Sequence, residues 1–224
     1  MSAIICFDIR NFTTHVSHHL SQDKGGIFEV IEDIFKSIEK AIKSSRTMIG
    51  ITRETFVNHT GDGFVAIFYD KGRSLQSLLV ASLVASDVDN LLEEYNNNIK
   101  NYMYLKYIPP LDYGIGIHRG GVKKIKYRPE YPRESSVIGF LGHVINLSNR
   151  VQESTKDHTF KIICTYTVYR DAISVIDEKY KETIKKKYFT KLGKHKLRGM
   201  KEPITLYGVQ TDFAMKIEPN MIQN

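Results

Sequence analysis

The sequence predicts an α+β protein of the ferredoxin-like, split βαβ type. Apolar residues recur with the period of a helix in two long segments, residues 26–45 and 74–95. Short apolar runs that are typical of strands precede, separate and follow these two segments. The resulting order, strand–helix–strand–strand–helix–strand, is the order of the split βαβ arrangement.

The first half of the chain is predicted to supply three strands and two helices. Residues 2–7 form a short apolar run typical of a buried strand, and residues 8–25 are polar and turn-like. In residues 26–45 the isoleucines share one helical face and charged residues occupy the other. Strands are predicted at 48–57 and 63–69, joined by a turn at 59–62, before the helix at 74–95.

The second half is predicted to contain further strands, helices and an arm. Residues 120–136 are rich in Gly, Pro, Tyr and basic residues, so we expect an extended hairpin there. The remaining predictions are strands at 111–118, 160–165, 188–198 and 204–210, and helices at 143–155 and 168–174. We expect residues 1–211 to form one domain and residues 212–224 to form a C-terminal tail that is either frayed or a small extension.

Composition indicates a soluble, cytoplasmic protein. The chain has 224 residues, of which 42% are hydrophobic and 25% charged. Cys6 and Cys164, the only two cysteines, indicate a reducing compartment, and no apolar run reaches the length of a membrane span. The net charge of +7 includes a basic cluster at Lys123, Lys124, Lys126 and Arg128. No nucleic-acid-binding motif accompanies this charge, so we interpret it as a solvated surface and expect no nucleic-acid partner.

Three histidines, His15, His18 and His19, lie close together near the N-terminus. Such a cluster could bind a metal, but no carboxylate or cysteine completes a ligand set. We therefore interpret this segment as a solvent-exposed helical turn.

Five short motifs occur in one order along the chain, and their order and spacing resemble the class III nucleotidyl cyclase catalytic domain. They are CFDIRNFT (6–13), NHTGDGF (58–64), GIHRG (116–120), GHVINLSNR (142–150) and LRGMKEPITLY (197–207). The resemblance implies that residues 1–211 are a catalytic domain that works as a head-to-tail homodimer. Each active site then combines residues from both chains, and this chain carries both halves.

Asp8 and Asp62 are the predicted metal-binding pair. Asp8 ends a predicted strand and Asp62 lies in the tip Gly61-Asp62-Gly63, so the two carboxylates can converge at one sheet edge. Taken alone, Asp-Gly is also the commonest hairpin turn signal. The resemblance implies that Asp8, the backbone carbonyl of Ile9 and Asp62 hold two Mn²⁺ or Mg²⁺ ions. It also places the segment from Ile9 through Phe12 to Thr13 against the triphosphate, near a helix start.

Asn146 and Arg150 are four residues apart on a predicted helix, so they project from one face. On this pattern alone they could equally be the exposed side of an amphipathic helix. The resemblance implies that Asn146 positions the ribose and that Arg150 neutralises charge on the phosphoryl oxygens during transfer. It also assigns Arg198, where the family has lysine, to the phosphates.

Asn58 and Gly139 occupy the two positions that select the base in the resembling family. Adenylate cyclases have Lys and Asp or Thr there, and guanylate cyclases have Glu and often Cys, so neither purine pattern is present. The Asn58 amide both donates and accepts, which suits uracil or cytosine. Arg53 and His59 could add donors, although His59 should point away from Asn58 because strand residues alternate.

This pocket and the stand-alone domain make the chain similar to the pyrimidine cyclases of bacterial Pycsar anti-phage defence. That resemblance implies conversion of UTP, in preference to CTP, into a cyclic monophosphate that activates a separate effector protein. The alternatives are an adenylate or guanylate cyclase with an atypical base pocket, and a degenerate domain that binds nucleotide without chemistry. A relative of diguanylate cyclases is disfavoured because their Gly-Gly-Asp/Glu-Glu-Phe tip is absent.

One further departure concerns phosphate binding. The family's arginine before the Val-Gly-Ile-His strand aligns with Gly114 in this sequence. Arg10 or Arg119 could supply the missing charge.

Overall fold

A computed structural model describes residues 1–22, 26–50, 54–69, 73–102, 107–127 and 137–223. This described part leaves out residues 51–53 of a predicted strand, which include Arg53, and the arm tip at 128–136, which includes Arg128. The side chain of His19 also lies outside it.

The described residues form nine strands and six α-helices. In chain order these are β1 (Ser2–Arg10), α1 (Phe12–Gln22), α2 (Ile27–Ile49), β2 (Thr55–His59), β3 (Gly63–Phe68), α3 (Ser74–Ile99), β4 (Asp112–Gly120), β5 (Lys123–Tyr127), β6 (Val137–Leu141), α4 (His143–Glu153), β7 (Ile162–Thr165), α5 (Tyr166–Ser174), α6 (Glu178–Tyr188), β8 (Phe189–His195) and β9 (Ile204–Val209). Short 3₁₀ turns lie at Ser154–Asp157, Phe213–Lys216 and Pro219–Met221.

Seven strands form one mixed sheet in the order β2-β3-β1-β4-β7-β9-β8. The β4–β7 pair is parallel, and the other pairs are antiparallel. This is the predicted α+β fold, with β1 near the middle of the sheet between β3 and β4. The functional motif that ends β1 is therefore held on both sides by backbone hydrogen bonds.

The two faces of the sheet are covered differently. On one face, alternate β1 residues such as Ile5 and Phe7 enter the largest core, which α2 and α3 cover together with buried residues of α5 and α6. On the other face, Ile4 and Cys6 pack against Val144 of α4. Because side chains alternate along a strand, Asp8 belongs to this second face.

The predicted arm is a two-stranded antiparallel ribbon made by β5 and β6. It is docked onto the second face of the sheet, where the Phe140 ring lies 4.7 Å from the Phe56 ring of β2. The hairpin prediction is confirmed for its described residues, and the base of the arm packs rather than projecting freely.

Several predictions near the N-terminus were wrong. Residues 12–22 form helix α1 rather than a turn, and His15 is fully buried, with hydrogen bonds to the Tyr95 hydroxyl (3.0 Å) and the Pro109 carbonyl (2.7 Å). His18 is exposed, as expected. Helix α2 runs to Ile49, so residues 48 and 49 are helical rather than the start of a strand. The burial of His15 could not be predicted from the nearby histidines, because its hydrogen-bond partners, Tyr95 and Pro109, come from distant segments.

Helix α6, near the C-terminus, was missed because its sequence is lysine-rich and buries only Ile184 and Tyr188, although Asp177 caps it by accepting a hydrogen bond from the Lys179 N–H. Of the two alternatives for the tail, the structure favours a small extension over frayed chain, since Phe213 and Ile217 are buried in the main core. The domain's packed region therefore extends past residue 211.

Among the described residues, α3 is the one helix long and apolar enough to cross a membrane. In this fold 67% of its most apolar window is buried.

Candidate active site

A cleft of about 420 Å³ opens at the end of β1 and gathers most of the predicted metal and phosphate residues. Its lining consists of Asp8, Ile9, Arg10, Asn11, Phe12, Thr13, Thr14, Asp62, Asp112 and Lys156. The predicted residues Asp8, Ile9, Phe12, Thr13 and Asp62 thus share one cavity although two of the motifs are some fifty residues apart.

The tip that carries Asp62 is fixed against β1. The Ile9 N–H donates to the Asp62 carbonyl at 3.0 Å, and the Thr60 N–H donates to the Gly63 carbonyl at 2.9 Å. A Cβ atom at Gly63 would lie 2.1 Å from the Phe7 carbonyl oxygen, so only glycine permits this close approach. The tip therefore presents the Asp62 side chain to the same cleft as Asp8.

The two carboxylates affect each other electrostatically. Burial raises the pKa of Asp8 to about 6, and the negative charge of Asp62 adds to the increase. The positive charges of Lys156 and Arg10 act in the opposite direction. A buried carboxylate beside a second carboxylate is a site where a bound cation would relieve both desolvation and repulsion.

The donor set fits Mg²⁺ or Mn²⁺. Asp8 and Asp62 supply hard oxygen ligands, and the described residues contain no group of three or more His, Cys, Asp or Glu arranged to hold a metal. Magnesium is commonly held by one or two carboxylates together with substrate phosphates and waters. Asp8, Asp62 and the Ile9 carbonyl would hold such ions, with substrate phosphates and waters as the remaining ligands.

The start of α1 faces the same cleft. Asn11 adopts a left-handed conformation with φ of 65°, a region that Asn tolerates, and its side-chain amide donates to the Pro110 carbonyl at 2.8 Å. The first helical hydrogen bond runs from the His15 N–H to the Asn11 carbonyl at 3.1 Å. The N–H groups of the first turn, including those of Phe12 and Thr13, have no partner within the helix and are suited to bind an anion.

Two cations line the cleft, and only one was singled out from the sequence. Arg10 donates to Asp112 at 2.6 Å and to Thr155. Lys156 lies in the 3₁₀ turn after α4 and was missed. The only sequence signal for it was its position six residues after Arg150, close behind a motif that had already been recognised.

Asp112 anchors this cation cluster. Burial opposes its ionisation, but the Lys161 hydrogen bond and the charges of Lys161 and Arg10 prevail, so the pKa of Asp112 is lowered. Arg119, the other candidate to replace a charge at Gly114, forms an ion pair with Asp171 at 3.1 Å and does not line the cleft. Of the two arginines considered from the sequence, Arg10 is the one at the cleft.

Asn146 and Arg150 share the outer face of α4, as predicted, while Val144, Leu147 and Val151 are buried. Asn146 is exposed. Arg150 donates to both carboxylate oxygens of Glu153, at 2.6 and 2.7 Å. Neither residue lines the cleft of its own chain.

The proposed base-selecting residues also lie outside the cleft. Asn58 is exposed on β2, two residues after Phe56 and therefore on the same face of the sheet, the face on which the β5–β6 ribbon is docked. Gly139 lies in that ribbon, next to Phe140 and paired with Ile125. The His59 ring lies 4.1 Å from the Phe35 ring of α2, which confirms that it points away from Asn58.

Arg198 is exposed in the loop between β8 and β9. The residue before it, Leu197, is buried against Leu147 and Val151 of α4. Arg198 does not line the cleft of its own chain.

Comparison with known proteins supports one fold. No family model matches the chain. The adenylate cyclase of Anabaena cylindrica is 27% identical over 171 residues, which cover 76% of this chain and 30% of that relative. The chain thus spans about a third of the length of the curated relative it matches.

Solved structures agree with this similarity. A bacterial light-regulated adenylyl cyclase superposes with a TM-score of 0.64 and 17% identity, covering 94% of this chain and 52% of the other. The guanylyl cyclase Cya2 gives a TM-score of 0.55 with 19% identity, covering 93% and 90%. The chain has the fold of the class III nucleotidyl cyclases, and these two solved structures are named as an adenylyl and a guanylyl cyclase.

Proposed function

We propose that this chain is a nucleotide cyclase that converts a pyrimidine nucleoside triphosphate, UTP in preference to CTP, into the 3′,5′-cyclic monophosphate and pyrophosphate. The observation that carries the proposal is the cleft in which Asp8, Asp62 and the start of α1 meet. It combines a site for divalent cations with unpaired helix N–H groups for phosphate, and these are the requirements of phosphoryl transfer.

In this reaction the ribose 3′-oxygen bonds to the α-phosphorus while the bond from that phosphorus to the α–β bridging oxygen breaks. The proton of the 3′-hydroxyl passes to solvent, and pyrophosphate leaves with the bridging oxygen. Divalent ions bound at the two aspartates would polarise the phosphoryl oxygens and favour the ionised 3′-oxygen. Asp8 and Asp62 bind and orient these ions, and the first turn of α1 offers N–H groups to the phosphates.

The remaining chemistry is assigned to a second copy of the chain. Asn146 and Arg150 lie on the outer face of α4, and neither they nor Arg198 line the cleft of their own chain. A head-to-tail homodimer would bring these residues to the partner's cleft, where Asn146 orients the ribose and Arg150 stabilises negative charge on the phosphoryl group. Each dimer would then have two equivalent sites.

The choice of a pyrimidine rests on Asn58 and Gly139. Asn58 replaces the charged residues that purine cyclases carry at this position, and its exposed amide can pair with either edge group of uracil or cytosine. Gly139, at the second selecting position, carries no side chain. We further propose that the cyclic product is a second messenger in anti-phage defence and acts on a separate effector protein.

The test is incubation of the purified chain with each of ATP, GTP, CTP and UTP and Mn²⁺, with the products resolved by mass. We expect cyclic UMP, with less cyclic CMP, and loss of product in Asp62→Ala. Cyclic AMP or cyclic GMP as the main product would retain a cyclase but refute the pyrimidine assignment. No product from any of the four triphosphates would refute the cyclase.

A further inference from the structure

Arg10 lies in the wall of the cleft, beside Gly114 of β4, which has no side chain. The register of β1 and β4 places Arg10 opposite Asp112 and Asp8 opposite Gly114. A Cβ atom added at Gly114 would lie 3.0 Å from Nη2 of Arg10, so the guanidinium already lies over this glycine. The arginine therefore reaches diagonally from β1 across β4.

The guanidinium is held in place but keeps unused donors. Its side chain is 17% exposed, and its bonds go to Asp112 and Thr155. An arginine has five N–H donors, and the Nε atom of Arg10 is buried without a hydrogen-bond partner. Asp112 also pairs with Lys161, so one carboxylate is shared between two positive charges. The charge of Arg10 is therefore only partly neutralised.

Lys156 contributes a second positive charge to the same cavity. It is exposed at the cleft, and no ion pair is formed by it within the described part of the chain. The positive charge of Lys156 opposes the increase in the pKa of Asp8, so Lys156 lies within electrostatic range of the two aspartates proposed to bind metal. Together with the first turn of α1, the cavity thus has donors on several sides.

We propose that Arg10 and Lys156 bind the pyrophosphate portion of the triphosphate, Arg10 as a fixed fork and Lys156 as a mobile charge that closes over the leaving group. This inference rests on the proposed function of the cleft. It assigns recognition of the leaving group to the chain that carries Asp8 and Asp62, while the partner's Arg150 and Arg198 act from the other side.

The test measures binding of inorganic tripolyphosphate in the presence of Mg²⁺ by isothermal titration calorimetry. We expect Arg10→Gln and Lys156→Met each to raise the Kd by about tenfold or more, because each removes a charge-assisted contact. Arg119→Gln is the matched control for Arg10, because that side chain is 16% exposed and ion-paired with Asp171 away from the cleft. Lys40→Met, in α2 on the other face of the sheet, controls for a lost lysine.

Circular dichroism establishes which variants fold. Should Arg10→Gln unfold, Arg10→Lys, which keeps the charge near Asp112, and the exposed Lys156→Met decide the question. Folded variants that bind tripolyphosphate within about twofold of the two controls would overturn the inference.

The result of this binding test does not depend on which nucleotide base the protein prefers. Tenfold losses in a protein that cyclises no triphosphate would keep the polyphosphate site and refute only the cyclase, and unchanged binding in an active cyclase would do the reverse.

Discussion

Asp8 illustrates how a residue proposed to bind metal can oppose folding. It sits at the end of a strand, half-buried, beside the negative charge of Asp62, and both effects raise its pKa to about 6. In the unfolded chain the carboxyl has its ordinary value near 4. The folded, metal-free protein therefore binds a proton more tightly than the unfolded chain, and stability falls as the pH rises through this window.

We predict that Asp8→Asn stabilises the metal-free protein above pH 6. At pH 8 the wild-type carboxylate is charged and unfavourable, whereas the amide is neutral. The melting temperature of the variant should exceed that of the wild type. Below about pH 4 the wild-type carboxyl is protonated in both states, so the advantage should disappear.

Thermal unfolding in EDTA at pH 4, 6 and 8 measures this effect. Asp157→Asn, an exposed aspartate in the 3₁₀ turn after α4, provides the control and should show no such pH-dependent gain. An equal melting temperature for Asp8→Asn and wild type at pH 8 would contradict the electrostatic explanation.

At the scale of elements, the position of α4 depends on Gly116 of β4, where the lack of a side chain lets the helix backbone approach the strand closely. A Cβ atom at Gly116 in β4 would lie 2.1 Å from the Gln152 backbone nitrogen and 2.4 Å from the Ser148 carbonyl oxygen. Both atoms belong to the backbone of α4, which cannot move away without carrying Asn146 and Arg150 with it. The helix that bears the predicted transition-state pair is thus seated directly on the sheet.

We predict that Gly116→Ala lowers the free energy of unfolding by about 1–3 kcal/mol, the usual cost of overpacking, and that it reduces activity by displacing α4. Gly121→Ala is the matched control, since a Cβ atom there meets nothing within 4 Å. Chemical denaturation of both variants measures the difference. Equal stability of the two would show that α4 is not tightly seated on β4.

The elements that periodicity predicts well are those that bury a continuous face. Helices α2 and α3 were located because their apolar residues repeat along one side. Helix α6 was missed because two buried residues among many lysines give no periodic signal. Burial of His15 and Phe213 depends on contacts with distant segments, Tyr95 and the α3 layer, and a local pattern cannot contain that information.

The same contrast holds for the candidate site. Asp8 and Asp62 were predicted because they stand in short motifs with a recognisable spacing, and the cleft brings them together. Lys156 has no motif of its own, and it reaches the cleft only because the turn after α4 lies beside the end of β1. The engagement of Arg10 with Asp112 likewise required the β1–β4 register.

At the scale of the whole molecule, the predicted site residues fall into two groups that a single chain does not unite. One group lines the cleft, and the other group, Asn146, Arg150 and Arg198, does not line it. In the isolated chain Arg150 is bound to its neighbour Glu153. If both groups are needed for catalysis, we expect the complete site to contain residues from two copies.

This arrangement predicts complementation between two inactive variants. Asp62→Ala removes a proposed metal ligand and Arg150→Ala removes the proposed transition-state charge, so each homodimer should be inactive. Random mixing yields about half heterodimers, and each heterodimer contains one site with both defects and one intact site. Mixing equal amounts after subunit exchange should therefore restore about a quarter of the wild-type activity.

The control is Asp62→Ala mixed with Asp8→Ala. Both variants are damaged in the same half of the site, so this mixture should remain inactive. Inactivity of the first mixture, with exchange verified by mass spectrometry, would mean that each chain builds its site alone, and Arg150 would then have to leave Glu153 for its own cleft.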